Sequence, residues 1–381
     1  MNTTSSLPIA SSAPAPSLPI TPRLVELKAK IFCHGLRVPD DIWSEIADEN
    51  HYKHKRAGVS QGRFFRLRDG LSYTTVNAPV LEPFVRRSPL HLVREGARYR
   101  IHENDVPLTD CEPFPWPRWY GKTTSAGVPM ALVVSAHSAT SLYTAIYQGG
   151  CDYFHGAQEC QFCSMKIDNK TEWRKIEPII EVAKAALEEN PAAELSFGGG
   201  TRLTPDKGAK HDIAAIRAFK KEVDMPVCVE MAPPDTDDWL DELKDAGCES
   251  MMLNLEVWDR GARERLMPGK SKIPRERYLE ALAYAVKLFG VHQVSSQVLI
   301  GLEPIESTLE GMAALADVGA IPLPTVFRPL NNTPLVRHET PRVEDVLRVF
   351  SANIEMLHTR GLLAEKTRAG CALCGACSSH R

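Results

Sequence analysis

Several things are scarce in this 381-residue chain, and each scarcity excludes something. No apolar run approaches the roughly 20 residues needed to span a bilayer, so no transmembrane helix is expected. Neither sign of charge dominates: 45 Lys and Arg stand against 48 Asp and Glu, a net charge of −3. That balance leaves no electrostatic footprint for nucleic acid or an anionic membrane. The N-terminus lacks the basic head and continuous apolar stretch of a secretory signal. Residues 1–22 are instead Ser, Thr, Ala and Pro, interrupted at Pro14, Pro16 and Pro19, and a disordered leader is expected. Internal repeats and heptads are absent. With 43% hydrophobic and 24% charged residues, the chain suits one large domain with appendages, or two domains.

Cysteine, by contrast, is present ten times and is clustered. Cys33, Cys111, Cys228 and Cys248 are isolated and are expected to be buried apolar residues. The other six form two groups, Cys151, Cys160 and Cys163, and Cys371, Cys374 and Cys377. A chain of this size has core enough without a disulfide framework. The clustering therefore argues for metal in a reducing cytoplasm. Thiolates are the usual ligands of iron–sulfur clusters. Three of them on a four-iron cube leave one iron without a protein ligand. S-adenosylmethionine can chelate such an iron through its amino and carboxylate groups. One electron from the cluster then breaks a carbon–sulfur bond and leaves a 5′-deoxyadenosyl radical. That chemistry needs a backbone able to approach the methionine end and a dry interior. Gly198, Gly199 and Gly200 suit the first need, since glycine permits close approach. The competing readings are a zinc site completed by His155 and a plain glycine turn. For the tail triad a second iron–sulfur cluster is the leading reading, against zinc with His380 or a redox dithiol.

Along the chain, residues 23–50 read as helical, with Leu24, Leu27 and Ile31 on one face before His34-Gly35. Short segments 63–67, 71–76 and 98–101, parted by turn residues, read as hairpin strands. The connector around Trp116, Trp119 and Tyr120 is either a lid or, preferably, packed structure. From about residue 128 the rhythm becomes strand, loop, helix. Strands are expected at 131–135, 194–197, 227–231, 250–255, 293–301 and 322–327, with helices between them. Six such strands predict an α/β fold, a partial (β/α)6 barrel with an N-terminal α+β accessory region and a Cys-rich tail. Ligands in parallel α/β folds sit at the carboxyl ends of strands. The expected boundaries are 1–22, 23–127, 128–335 and 336–381.

Over roughly residues 128–335 the chain resembles the radical S-adenosylmethionine (SAM) superfamily. The loop ending Gln161-Phe162-Cys163 is similar to that superfamily's cluster loop, and Phe197-Gly198-Gly199-Gly200-Thr201 to its glycine motif. Leu240–Glu256, Val298–Glu303 and Phe327–Leu335 resemble the biotin synthase-like branch. One spacing departs from the pattern: eight residues, not three, separate Cys151 from Cys160, leaving a two-cysteine site with another donor as the alternative. The front of the chain, with His34–Pro39 and Ser141–Met165, also resembles radical enzymes encoded in bacterial nitrilase gene clusters.

The resemblance implies Cys151, Cys160 and Cys163 on a [4Fe-4S] cluster and Phe162 near the adenine. Gly198, Gly199 and Gly200 would hold the methionyl amino group, with Glu256, Ser296 and Gln297 as further cofactor contacts. Glu230 and Arg328 are the catalytic candidates, Arg328 as a clamp for a substrate carboxylate. The competing reading is a structural ion pair for Glu230, a solvated or salt-bridged carboxylate for Glu256, and a surface position for Arg328. The implied function is a cytoplasmic enzyme that cleaves SAM and abstracts hydrogen from a small molecule. It would be served by a one-electron donor such as flavodoxin or ferredoxin. The rival is a non-catalytic iron–sulfur or zinc sensor or scaffold.

Overall fold

The computed structural model describes residues 20–53, 62–148, 150–165 and 172–380. The expected leader lies almost wholly outside these residues. The first helix, Pro22–His34, begins where Thr21 accepts the Leu24 amide and proline occupies the first turn, and it ends at Gly35. Its apolar face, including Leu24, Leu27 and Ile31, is buried. Phe32 meets Phe350 of the late helix Val343–Thr359 edge-on, with centroids 6.3 Å apart.

An antiparallel sheet follows, built from β1 (Arg63–Asp69), β2 (Ser72–Ala78), β3 (Leu90–Glu95), β4 (Arg98–Glu103) and β5 (Val106–Pro113). Its order is β2-β1-β5-β4-β3. The three hairpin strands expected here are β1, β2 and β4, each slightly longer than anticipated. The aromatic connector is packed structure. Trp119 and Tyr120 are buried, Trp116 donates to the Ile46 carbonyl, and Arg63 lies 4.5 Å over the Trp116 ring.

The second sheet is the barrel wall. It contains β6 (Ser135–Ala136), β7 (Ser141–Ala145), β10 (Glu194–Gly198), β11 (Val227–Met231), β12 (Ser250–Leu253), β13 (Val294–Ile300) and β14 (Ile321–Val326). Between β7 and β10 a small hairpin pairs β8 (Tyr147–Gln148) with β9 (Glu172–Trp173). The wall runs β14-β13-β12-β11-β10-β7-β6, six parallel strands in chain order with β6 antiparallel at one edge. β14 and β6 stand at opposite edges, so the barrel is open. All residues of β10, β12 and β14 are buried, as befits parallel strands covered on both faces.

One strand expectation is corrected. Residues 131–135 do not form the first parallel strand: Met130–Val133 is a helical turn entered at Pro129, and the strand is Ser141–Ala145. A five-residue apolar run has no period that separates strand from helix.

The tail does not trail away. Residues 363–370 cross beneath the amino ends of the barrel strands, tied there by a series of hydrogen bonds. Leu363 N donates to His292 Nδ1 (3.1 Å), Arg368 N to Gln293 Oε1 (3.0 Å), Ala369 N to Ser250 Oγ (3.3 Å) and Gly370 N to Glu194 Oε2 (3.0 Å). The helical turn Cys371–Cys374 follows, packed against the outer parallel strands β7 and β14. Among the described residues no helix is long and apolar enough to cross a membrane.

Candidate active site

The loop carrying Cys151, Cys160 and Cys163 lies at the carboxyl end of the wall and is stapled to the glycine turn after β10. Asp152 N donates to Thr201 O (2.9 Å), and the Asp152 carboxylate accepts Leu203 N (2.8 Å) and pairs with Arg202 (2.9 Å). A side chain at Gly200 could not fit: its Cβ would lie 2.5 Å from Cys151 Cα and nearer still to the Gly150 carbonyl. Glycine is required here for backbone-on-backbone contact. Gly198 is required for a different reason. A Cβ there would stand 2.8 Å from the Tyr143 ring carbons and closer to its hydroxyl.

From the other side the loop is held by the stretch after the short helix Arg260–Leu266. Gln161 N donates to Leu266 O (2.7 Å), Gly269 N to Gln158 O (3.0 Å) and Lys272 Nζ to Gln158 Oε1 (2.7 Å). Cys160 and Phe162 pack on an apolar cluster that includes Val257, Met267, Leu299 and Phe327. Burial pushes all three thiols up, Cys163 to about 12, while Lys270 pulls each of them back. His155 is exposed, apart from the enclosed thiols.

Among the described residues, no three His, Cys, Asp or Glu side chains are gathered as a cage for a single metal ion. A four-iron cube carries its thiolates on different irons and spreads them more widely than the ligands of one ion. The three donors are soft thiols, which suit an iron–sulfur cluster or zinc.

Lys270 escaped the sequence reading. Its ammonium makes a 3.0 Å ion pair with Glu256, both side chains largely enclosed. Burial alone would lower the Lys270 pKa, but Glu256 and the neighbouring Tyr278 and Cys160 hold it well above the ordinary lysine range. Glu256 adopts φ 69°, a left-handed conformation costly for a residue with a side chain, just past the end of β12. Its amide donates to Gln297 O (2.9 Å), and its carbonyl accepts Leu299 N (2.7 Å). No local pattern in Pro268-Gly269-Lys270 announces a site residue.

Deeper in the barrel, Asn254 donates to Glu230 (2.5 Å) and accepts the Gln297 amide (3.0 Å). Burial, reinforced by Glu256, pushes the Glu230 carboxyl up to about 7. Gln297 Nε2 reaches within 3.8 Å of Cys371 Sγ. Neighbouring strand residues point to opposite faces. Accordingly Ser296 has no exposed surface, and its hydroxyl accepts the Leu255 amide (3.0 Å). Tyr143, mid-strand on β7, was also missed. Its phenol, raised well above its ordinary value by burial, feels Glu230, Cys371 of the tail and Cys163 of the loop. Its ring stacks on His137 (5.3 Å), which stacks in turn on Phe64 (5.8 Å).

Arg328, two residues past the end of β14, is buried beside Glu82, Asn77 and the tail, so the surface alternative does not hold. The ring nitrogens of His380 lie 2.6 Å from Ser378 Oγ and 2.8 Å from the Ala372 carbonyl. Cys33, Cys111, Cys228 and Cys248 are buried, as their isolation suggested. All ten cysteines are free thiols.

A cleft opens between the glycine turn and the start of the helix Ala209–Glu222, lined by Gly198–Gly200, Tyr147, Asp212 and Glu230. Asp212 is pushed up to about 7 by burial.

Comparison with known proteins bears on this arrangement. The chain is similar to bacteriochlorophyllide c C-7(1)-hydroxylase of Chlorobaculum limnaeum, with 24% identity over 303 residues, 71% of this chain and 73% of that protein. Among solved structures it is similar to methylornithine synthase (PylB), with a TM-score of 0.46 and 16% identity over 57% of this chain. It is also similar to the [FeFe]-hydrogenase maturase HydG, with a TM-score of 0.46 and 19% identity over 56% of this chain. The chain spans 62% of the first structure's length and 49% of the second's. These are distant likenesses. Residues 146–316, which include the cysteine loop, the glycine turn and most of the parallel wall, match the Radical SAM superfamily model. The chain thus contains a Radical SAM superfamily domain, and that domain marks it as an enzyme.

Proposed function

We propose that this enzyme uses a [4Fe-4S] cluster on Cys151, Cys160 and Cys163, together with SAM, to abstract hydrogen from a small molecule held inside the barrel. The superfamily implies a [4Fe-4S] cluster and SAM. Three facts about the residues fit them. The donors are soft, half-buried thiols on one loop. A glycine turn without side chains lies against that loop. A buried cation, Lys270, stands by the thiols. When bound, the pair supplies a 5′-deoxyadenosyl radical able to take hydrogen from an unactivated C–H bond.

The chain's own residues do the rest. Lys270 offsets thiolate charge and fixes Glu256, which faces the space beside the loop. Gly198, Gly199 and Gly200 leave room for the methionyl end, and Phe162 packs on the apolar cluster beneath the loop. Glu230, with its pKa near neutrality and its orientation set by Asn254, can hold or release a proton at Oε1 or Oε2.

We further read Cys371, Cys374 and Cys377 as a second iron–sulfur site at the floor of the same chamber. One observation carries this reading: Gln297, whose amide is held by Asn254 beside Glu230, brings its Nε2 within 3.8 Å of Cys371 Sγ. A substrate between the two triads would touch Tyr143, Glu230 and Gln297. The related hydroxylase, named for chemistry at a carbon, supports C–H functionalisation. A reducing cytoplasm and a small one-electron donor complete the reading.

Anaerobic reconstitution tests it. The wild type should release 5′-deoxyadenosine with dithionite, and Cys160→Ala should release none. Cys374→Ala should retain the loop cluster's spectrum while losing the iron of the second site. A protein holding only zinc at the loop, or releasing no 5′-deoxyadenosine, overturns the reading.

A further inference from the structure

Arg328 follows β14 and is 4% exposed. Its Nη2 donates to the Asn77 carbonyl, and its guanidinium lies 5.7 Å from the centre of the Phe32 ring. The facing carboxylate, Glu82, is equally buried, but Nη1 and Oε1 stand 3.9 Å apart, beyond hydrogen-bond reach. Among the described residues, neither of those two atoms has a hydrogen-bond partner. A buried guanidinium N–H left unmade is costly, so an acceptor belongs beside it.

Cys377 is the ionisable neighbour on the tail side. Asn77 Nδ2 lies 3.4 Å from Cys377 Sγ, and the Asn77 amide donates to Ala376 O (2.8 Å). Lys28, with no exposed surface, donates to Gly375 O (2.9 Å) and Thr74 Oγ1 (3.2 Å). Three segments far apart in sequence thus converge on Gly375-Ala376-Cys377: the first helix, the end of β2 and the segment after β14.

We infer that these residues form the outer wall of the second cluster's site. Arg328 Nη1 and Asn77 Nδ2 donate hydrogen bonds to the Cys377 thiolate and its adjoining sulfide, and Lys28 adds a second cation. The inference rests on reading the tail triad as a cluster site. Hydrogen bonds to cluster sulfurs and local charge set reduction potential. Reduction adds one negative charge, which a guanidinium and an ammonium stabilise. This wall, bonded to Cys377 and not to the loop thiols, therefore raises the potential of the second cluster and leaves that of the loop cluster unchanged.

An EPR-monitored redox titration of the reconstituted full-length protein tests this. At the potential where half of the wild-type second cluster is reduced, Arg328→Met should shift the reduced-to-oxidised ratio roughly tenfold toward oxidised. Arg328→Lys should restore most of the wild-type ratio. Asn77→Asp, which puts a carboxylate in place of the amide donor, should shift it in the same direction as Arg328→Met. The loop-cluster midpoint should not move in any variant. If Arg328→Met does not retain the second cluster, Arg328→Lys and Asn77→Asp decide. Unmoved midpoints with iron retained would overturn the inference and leave the second-cluster reading standing. Wild-type protein holding iron for one cluster only would overturn both.

Discussion

Gln297 Nε2 lies 3.8 Å from Cys371 Sγ, so a residue in the middle of β13 touches the first thiol of a tail 74 positions further along. The contact joins the start of the tail triad to the interior of the barrel wall, a junction that frames the following expectations.

The glycine turn and the cysteine loop should be inseparable. Gly200→Ala places a methyl group against Gly150 and Cys151. Overpacking of this kind costs about 2 kcal/mol. The displaced loop should hold less iron, read as a loss of cluster absorbance after reconstitution. Gly199→Ala, whose nearest contact is an ordinary 3.7 Å, should reconstitute close to wild type.

Lys270 and Glu256 should behave as a unit. Lys270→Met leaves an enclosed carboxylate without its partner, at a cost of about 3 kcal/mol. Adding Glu256→Gln should return most of that stability. Denaturant midpoints of the two single variants and the double variant, all in the metal-free protein, measure the coupling. Strict additivity would show that the pair is not coupled.

Gly198 and Tyr143 make a second pair, this time steric. Gly198→Ala should be destabilising because its methyl group meets the Tyr143 hydroxyl and ring. In a Tyr143→Phe background the same change should cost about 1 kcal/mol less, since the hydroxyl is gone. A thermal-unfolding double-mutant cycle checks the sign.

Glu194 predicts a pH dependence. Burial pushes its carboxyl up to about 8 from an ordinary value of 4.5. Between those two values the folded state holds a proton that the unfolded state has released. Its contribution is therefore fully present below pH 4.5 and is lost as pH rises through about 8. The slope is at most on the order of 1 kcal/mol per pH unit. Glu194→Gln should flatten unfolding free energy against pH across that window.

Much of the architecture could be read from short-range physics. The strands at 194–197, 227–231 and 322–327 stand within a residue or two of β10, β11 and β14, because each is a short segment set between two helical ones in an alternating rhythm. The run at 131–135 misled for the same reason: it is apolar but has no period. The thiol spacings and the triple glycine were plain in one dimension because each is a local motif on one turn of chain.

What the amino-acid order determined alone was the open α/β barrel, the two cysteine groups and the glycine turn, all set by neighbours within about a dozen residues. Folding decided what those groups face. Lys270 beside the loop, Tyr143 beneath it, and Arg328, Asn77 and Lys28 around Cys377 come from segments up to some 350 positions apart. They meet because burial of the barrel wall and of the first helix brings those segments onto one core, and no local spacing encodes such a meeting.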